Sequence, residues 1–332
     1  MFDSASSLLM AAKKIVVVQA ENPDGDSLGS ALALEEILGD AGKEVVLYCA
    51  IDIPKYLAYI TGWDRVTKDW PYDADATVVV DTSSELLLMK TVKVRGVRSF
   101  LESHPLLVID HHQESDGAFD FAHTNLIDDT AVATAEIIYR LANDMSLPIN
   151  QQAAENLFTA IQADSLGLTT QNTTADSYEV AAALVKLGAS PSIIEARRRE
   201  YMKKPADILS YKGELIGRIE YHLLGTLATV HIPWEDIEKY SDRYNPSVLV
   251  LDEMRLVETV KIAIAIKTYP DGKLTGKIRA NVPIAHHVAG FFGGGGHEYS
   301  AGFKVFESYD KVMTELVAAT SKAMTDYEST IL

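Results

Sequence analysis

Residues 15–30 read IVVVQAENPDGDSLGS, and this stretch decides the fold. Residues 15–19 are an apolar run with almost no alternation, the pattern of a strand covered on both faces in a parallel sheet. A polar loop follows, Asn22-Pro23-Asp24-Gly25-Asp26-Ser27-Leu28-Gly29-Ser30, and helical spacing of apolar residues extends over 28–38. On the C-terminal side, apolar runs recur at 45–49, 77–80 and 106–109, with helical patterns at 130–143, 151–162 and 175–187. This alternation predicts an α/β domain with a doubly wound, mainly parallel sheet. The character changes near residue 190. The segment 195–209, EARRREYMKKPADIL, is basic and contains Pro205, which suggests a connecting helix or linker over 191–212. Beyond it, 225–232 and 260–267 have strand composition, and Asp271-Gly272 within TYPDGKL (268–274) signals a hairpin turn. Two domains are expected, 1–190 and 213–332, the second being smaller and built on a mixed sheet.

With 332 residues, 47% of them apolar and 23% charged, the chain can bury two cores. Its 47 acidic and 30 basic residues give a net charge of -17. Such a surface repels long nucleic acid, whose binding rests on phosphate neutralisation. An anionic ligand should therefore be small, and held by local positive charge or by metal ions. A lone cysteine, Cys49, excludes an intrachain disulfide and reads as core filler. The first residues lack a signal-peptide layout, and no apolar run is long enough to span a bilayer, so the cytoplasm is the expected location.

Acidic residues cluster at the C-terminal ends of the expected strands, where open α/β sheets place their sites. Asp24 and Asp26 follow the first strand, Asp81 ends TVVVD (77–81), and Asp110-His111-His112 ends LLVID (106–110). Asp164 closes the helical pattern AENLFTAIQAD (154–164). A single Asp after a strand is commonly a helix cap or part of a turn. Four carboxylates and a His pair at equivalent ends would repel one another without a dication between them. Oxygen and imidazole donors suit Mn²⁺, with Mg²⁺ or Co²⁺ as alternatives, and two such ions can clamp a phosphoryl group.

The segments NPDGDSLGSALAL (22–34), VVVDTSS (78–84), VIDHH (108–112) and AIQADSLGLTTQNT (160–173) resemble the four ordered motifs of the DHH phosphoesterases. GKIRANVPIAHHVAGFFGGGGHEYSAGF (276–303) is similar to the glycine-rich signature of the domain that usually follows the DHH domain. The likeness is strongest to members acting as nano-RNA exonucleases (oligoribonucleases) and 3′-phosphoadenosine-5′-phosphate (pAp) phosphatases. It implies a hydrolase with two metal ions whose active site lies in the cleft between its domains. Asp24 should bind the first metal, Asp26 the second, and Asp81 both, while His111 and Asp164 complete the second. Asp110 should orient the imidazole of His111 from behind, and His112 should face the scissile phosphate. The loop Gly293 to Gly296 with His297, together with Arg279, should hold the nucleotide. Cyclic dinucleotides and linear ones such as pApA are rival substrates, and a degenerate nucleotide-binding or scaffold module is the rival outside catalysis. A homodimer is the common assembly for such an enzyme.

Two positions depart from the family's pattern. A His normally stands two residues before the Asn-Pro of the first motif, where this chain has Ala20; Glu21, Gln19, Asn22 or water would have to substitute, which weakens the first metal site. Ala280 replaces a Ser that often follows the Arg. His286 and His287, adjacent on an expected helix, should point apart and play no ligand role. Arg197, Arg198, Arg199, Lys203 and Lys204 form a dense basic patch, either a solvated helix face or an attractor of anionic substrate.

Overall fold

A computed structural model describes residues 2–112, 119–241, 244–296 and 298–331. The chain divides into two compact units, Met1–Lys203 and Lys204–Leu332. The first contains α1 (Asp3–Ala11), β1 (Lys14–Gln19), α2 (Gly25–Asp40), β2 (Glu44–Tyr48), β3 (Ala76–Val80), α3 (Met89–Lys93), α4 (Val97–Ser103), β4 (Leu106–Asp110), β5 (Thr124–Ile127), α5 (Thr134–Asp144), α6 (Gln151–Asp164), α7 (Ala175–Lys186) and α8 (Pro191–Tyr201). Its five strands are all parallel, in the order β2-β1-β3-β4-β5.

Side chains alternate along each strand, so one sheet feeds two cores. Ile15 and Val17 of β1 join Leu28, Leu32, Ile137, Leu157 and Ile161 of α2, α5 and α6 on one face. Val16 and Val18 join Trp70, Leu88, Val97 and Phe100 on the other. The doubly wound expectation is met. Strand order reverses direction between β1 and β3, which opens the crevice where such sheets bind ligands.

Two boundaries differ from the sequence reading. Helical structure begins at Gly25, three residues before the expected start, because Asp24 caps it: Asp24 Oδ1 accepts from the amides of Asp26 and Ser27, both at 3.0 Å. Helix α5 begins at Thr134 rather than 130, since Asp128 Oδ1 holds the Thr130 amide at 3.1 Å in a turn.

The second unit contains α9 (Ala206–Gly217), β6 (Glu220–His222), β7 (Leu227–Ile232), α10 (Trp234–Tyr240), α11 (Pro246–Arg255), β8 (Ile262–Thr268), β9 (Leu274–Ala280), α12 (Ala285–Phe291), β10 (Gly295–Gly296), β11 (Ser300–Val305) and α13 (Tyr309–Ile331). Its mixed sheet runs β10-β11-β9-β8-β7-β6, with only β7 and β8 parallel. The expected hairpin joins β8 to β9, with Gly272 at φ +77° in its turn. Ala263 and Ala265 pack with Val250 and Met254 of α11 on one face; Ile264 and Ile278 pack with Val288 of α12 and Leu316 of α13 on the other. The stretch around Pro205 separates α8 from α9, and the basic patch is largely neutralised. Arg198 and Arg199 bond Glu195, Arg197 bonds Glu155, and Lys203 pairs with Glu200.

Candidate metal centre

Three strand ends and one helix end bring the acids of the first unit together. Asp26, 1% exposed, lies in the first turn of α2. Its Oδ2 accepts the Thr134 amide at 2.7 Å, and its Oδ1 accepts the Ala135 amide at 3.2 Å and the Ser30 hydroxyl at 2.9 Å. These two amides open α5, so the positive end of that helix supports the buried charge. Asp81 follows β3 with φ 63°, a left-handed conformation that Asp tolerates better than most residues. The Asp81 amide still donates to Ile109 O at 2.9 Å, and its Oδ1 accepts the Thr134 hydroxyl at 3.0 Å.

His111 stands at the centre. Its Nε2 lies 3.8 Å from Asp26 Oδ2, 3.6 Å from Asp81 Oδ1 and 3.6 Å from Asp164 Oδ2. Its Nδ1 is 3.3 Å from Ala131 O, an acceptor, so Nδ1 carries the proton and Nε2 presents a lone pair. Among the described residues, Nε2 is buried with no hydrogen-bond partner. A lone pair facing three carboxylates is repulsive unless a cation lies among them, so these residues fit a dication. Ligand atoms of Asp81, His111 and His112 also fall within 4.8 Å of one another, a cluster able to hold a metal ion.

The electrostatics agree. Burial raises the carboxyl of Asp26, helped by the Asp24 charge and opposed by His111 and the Thr134 amide. Burial and the charges of Asp26, Asp24 and Asp110 push Asp81 well above the ordinary carboxylate range. Asp164 is pushed up to about 6 by burial and by Asp26. Asp110 differs: burial opposes its charge, but the bond and charge of His112 outweigh that and hold it below its usual value. Asp110 holds His112 and not His111 as expected: His112 Nδ1 lies 2.8 Å from Asp110 Oδ1, a contact that raises the imidazole, while His111 Nδ1 faces Ala131 O, and the His112 ring is 57% exposed.

Asp24 is exposed, with one carboxylate oxygen engaged as the helix cap. Of the positions considered as substitutes for the missing His, Glu21 is engaged elsewhere. Glu21 Oε1 accepts the amides of Lys90 at 2.5 Å and Thr91 at 2.8 Å, at the start of α3. Gln19 is fully buried, and among the described residues neither polar atom of its side-chain amide has a partner. Thr134, Ser30 and the Ala131 carbonyl escaped the sequence reading. They act through backbone amides, a carbonyl and a common hydroxyl, and only the closeness of Thr134 to a helix start hinted at them.

In the second unit, Arg279 lies on β9 and bonds Ser300 of β11. Its register partners are Ala263 on one side and Ser300 on the other. Lys277 shares that face, between Ala265 and Gly302, and has no hydrogen bond or ion pair among the described residues. Ala263 and Ala265 pack against Val250 and Met254 of α11, so the two cations stand half-buried on the face that α11 covers, a juxtaposition the sequence reading missed because it needs the register. Gly294 and Gly296 permit close backbone approach to β11. A Cβ at Gly294 would stand 2.2 Å from Gly302 O, and one at Gly296 2.5 Å from Ser300 O. Gly295 faces open space. His297 lies outside the described residues. His286 and His287 do meet, contrary to expectation, with ring centroids 3.8 Å apart; their side chains converge although their Cα positions diverge around the helix.

Strand-end carboxylates gathered on a histidine from an Asp-His-His triplet define a class. The profile of the DHH family, N-terminal domain, matches residues 14–161 of the protein. Over nearly its whole length it is similar to the bifunctional oligoribonuclease and PAP phosphatase NrnA of Thermus thermophilus, at 28% identity covering 90% of this chain and 88% of that protein. The protein of the same name from Bacillus subtilis is 22% identical over 91% of this chain and 93% of its own. The crystal structure of an exopolyphosphatase-related protein from Bacteroides fragilis shares the fold, with a TM-score of 0.81 at 20% identity, covering 99% of this chain and 96% of that one. Among the described residues, no helix is long and apolar enough to cross a membrane.

Proposed function

We propose that the protein hydrolyses short oligoribonucleotides to mononucleotides and removes the 3′-phosphate of pAp. The observation that carries the catalytic reading is the unpartnered His111 Nε2 facing Asp26, Asp81 and Asp164. The substrate class is supported by the names of the two relatives, each an oligoribonuclease and PAP phosphatase. Asp26, Asp81, His111 and Asp164 would hold one ion, and Asp24 with Asp81 another, Mn²⁺ suiting this donor set best. When bound, the metal supplies Lewis acidity and a water more acidic than in bulk.

The chain's own residues do the remaining work. Thr134 fixes the Asp81 carboxylate, and the α5 amides fix Asp26. Asp110 holds His112 by Nδ1 and favours its protonated ring, whose Nε2–H would donate to a phosphoryl or ester oxygen. Hydrolysis adds water oxygen to phosphorus and breaks one P–O ester bond; the ester oxygen leaves with a proton. Arg279, Lys277, Gly294, Gly295, Gly296 and His297 would hold the 5′ nucleotide. Two cations match a terminal phosphate, which carries more charge than a diester.

The first ion should bind weakly, because Ala20 offers no ligand and Glu21 is occupied at α3. Titration of Mn²⁺ into metal-free protein should show one tight and one weak site per chain, and Ala20→His should tighten the weak one. Two tight sites in the natural sequence would remove this part of the reading. For substrate, kcat/KM is compared across an RNA dinucleotide, pAp, pApA and a cyclic dinucleotide. Highest values for the first two support the proposal. A cyclic or pApA preference reassigns the substrate, and inertness toward all four favours a binding module.

A further inference from the structure

A recess of about 500 Å³ opens beside the carboxylate cluster, within the first unit, and the roles assigned above do not use it. Gly25, Tyr56, Tyr59, Gln162, Leu166 and Arg198 are among the residues that line it. Gly25 stands between Asp24 and Asp26 in the chain, and Gln162 two residues before Asp164. The inner end of the recess is therefore built from the two segments that carry the acids. Tyr56 Oη donates to Pro23 O at 3.2 Å, which ties one wall to the acidic loop.

The lining has unused hydrogen-bonding capacity. Tyr59 is 8% exposed, and its hydroxyl lies 4.0 Å from where a Cβ on Gly25 would stand. Among the described residues that hydroxyl has no hydrogen-bond partner, and neither has the Gln162 amide. Leu166 is 74% exposed, held at φ 49° in a turn where Gly167 and Leu168 also have positive φ. Arg198 is immobilised by Glu195, through Nε at 2.7 Å and Nη2 at 3.1 Å, and this fixes the plane of its guanidinium. Flat aromatic and guanidinium surfaces, apolar walls and free polar groups at the edge match one ligand chemistry well, that of a nucleobase. The size falls within the range of small-molecule pockets.

We propose that this recess holds the nucleoside on the 3′ side of the scissile phosphate. The inference rests on the hydrolase reading given above. It also separates the two activities. An oligoribonucleotide has a nucleoside beyond the scissile phosphate, whereas the scissile phosphate of pAp is terminal. Tyr59, Gln162 and Leu166 thus act in recognising oligoribonucleotides and have no partner in pAp.

The test measures kcat/KM for an RNA dinucleotide and for pAp, side by side with Mn²⁺, in the natural protein, Tyr59→Phe and Gln162→Ala. Removing one hydrogen bond should lower the dinucleotide-to-pAp ratio roughly fivefold in each variant, through KM. An unchanged ratio, including equal losses on both substrates, overturns the proposal. Binding of 5′-AMP, which carries its phosphate on the nucleoside in question, gives a readout independent of turnover when measured in an Arg279→Ala background that weakens the separate site proposed for the 5′ nucleotide. Equilibrium dialysis should show Tyr59→Phe weakening 5′-AMP by a similar factor, with Tyr59→His, which restores an edge donor, weakening it less. If the natural protein turned over neither substrate, the hydrolase reading would fail while 5′-AMP binding still decided on the recess: binding that depends on Tyr59 sustains it, and binding indifferent to Tyr59 sinks it.

Discussion

Asp81 shows what the site asks of a single residue. It is 7% exposed, sits at φ 63°, and is crowded by the charges of Asp26, Asp24 and Asp110. A buried carboxylate among other carboxylates destabilises the metal-free protein, and function is the reason to keep it. Asp81→Asn retains the volume and the tolerance for left-handed backbone while removing the charge. The variant should raise the thermal midpoint of metal-free protein by a few degrees, corresponding to about 1 kcal/mol, yet abolish hydrolysis. A lowered midpoint by calorimetry would mean that Asp81 stabilises the fold without an ion. In the natural protein, millimolar Mn²⁺ should raise the midpoint by binding only the folded state, and His111→Ala should lose most of that rise. The acids and the His pair could be read from sequence because charged residues after apolar runs stand out. Thr134 could not, since its amide and hydroxyl gain meaning only when α5 is docked beside β3.

Helices α2 and α6 carry Asp26 and Asp164 to one place, and two glycines permit it. A Cβ on Gly25 would lie 2.3 Å from Ala163 Cβ, and one on Gly29 2.8 Å from Asn156 O. One turn apart on α2, they form a groove into which α6 settles. Gly29→Ala should force the helices apart, cost about 1–3 kcal/mol, and lower activity beyond the loss of folded protein. Chemical denaturation together with kcat in the folded fraction checks both effects; unchanged kcat would separate helix spacing from the site. The sequence displayed these glycines within a motif, but their purpose as a helix contact needed the partner helix. For the same reason β5 escaped notice: of TNLI only Leu126 is fully buried, so neither an apolar run nor alternation marks it. The long apolar strands β1, β3 and β4 were plain, because both their faces are covered.

Across the whole chain, a net charge of -17 coexists with a few places where like charges gather: carboxylates around His111, and Lys277 with Arg279 on one face of β9. The sequence changes character near residue 190 and the chain divides into two compact units at Lys203 and Lys204, whereas the cation pair needed strand register. Stability in the second unit should depend on pH through His231. Burial, reinforced by Arg218 and opposed by Asp236, Glu220 and Glu235, holds its imidazole below the ordinary value. The unfolded chain therefore takes up the proton first. The stabilisation is full above the unfolded value of about 6.5 and is lost as pH falls through the folded value. Denaturation between pH 7.5 and about 5 should give a shallower pH slope for His231→Gln than for the natural protein, and equal slopes would exclude His231 as the source. The central claim, that clustered carboxylates and His111 bind a dication which drives phosphoester hydrolysis, is tested most directly by release of mononucleotide from a 5′-labelled RNA dinucleotide, with and without Mn²⁺. Turnover that requires the ion and vanishes in Asp81→Asn is the predicted result. Turnover that persists in chelator, or that survives in Asp81→Asn, would contradict it.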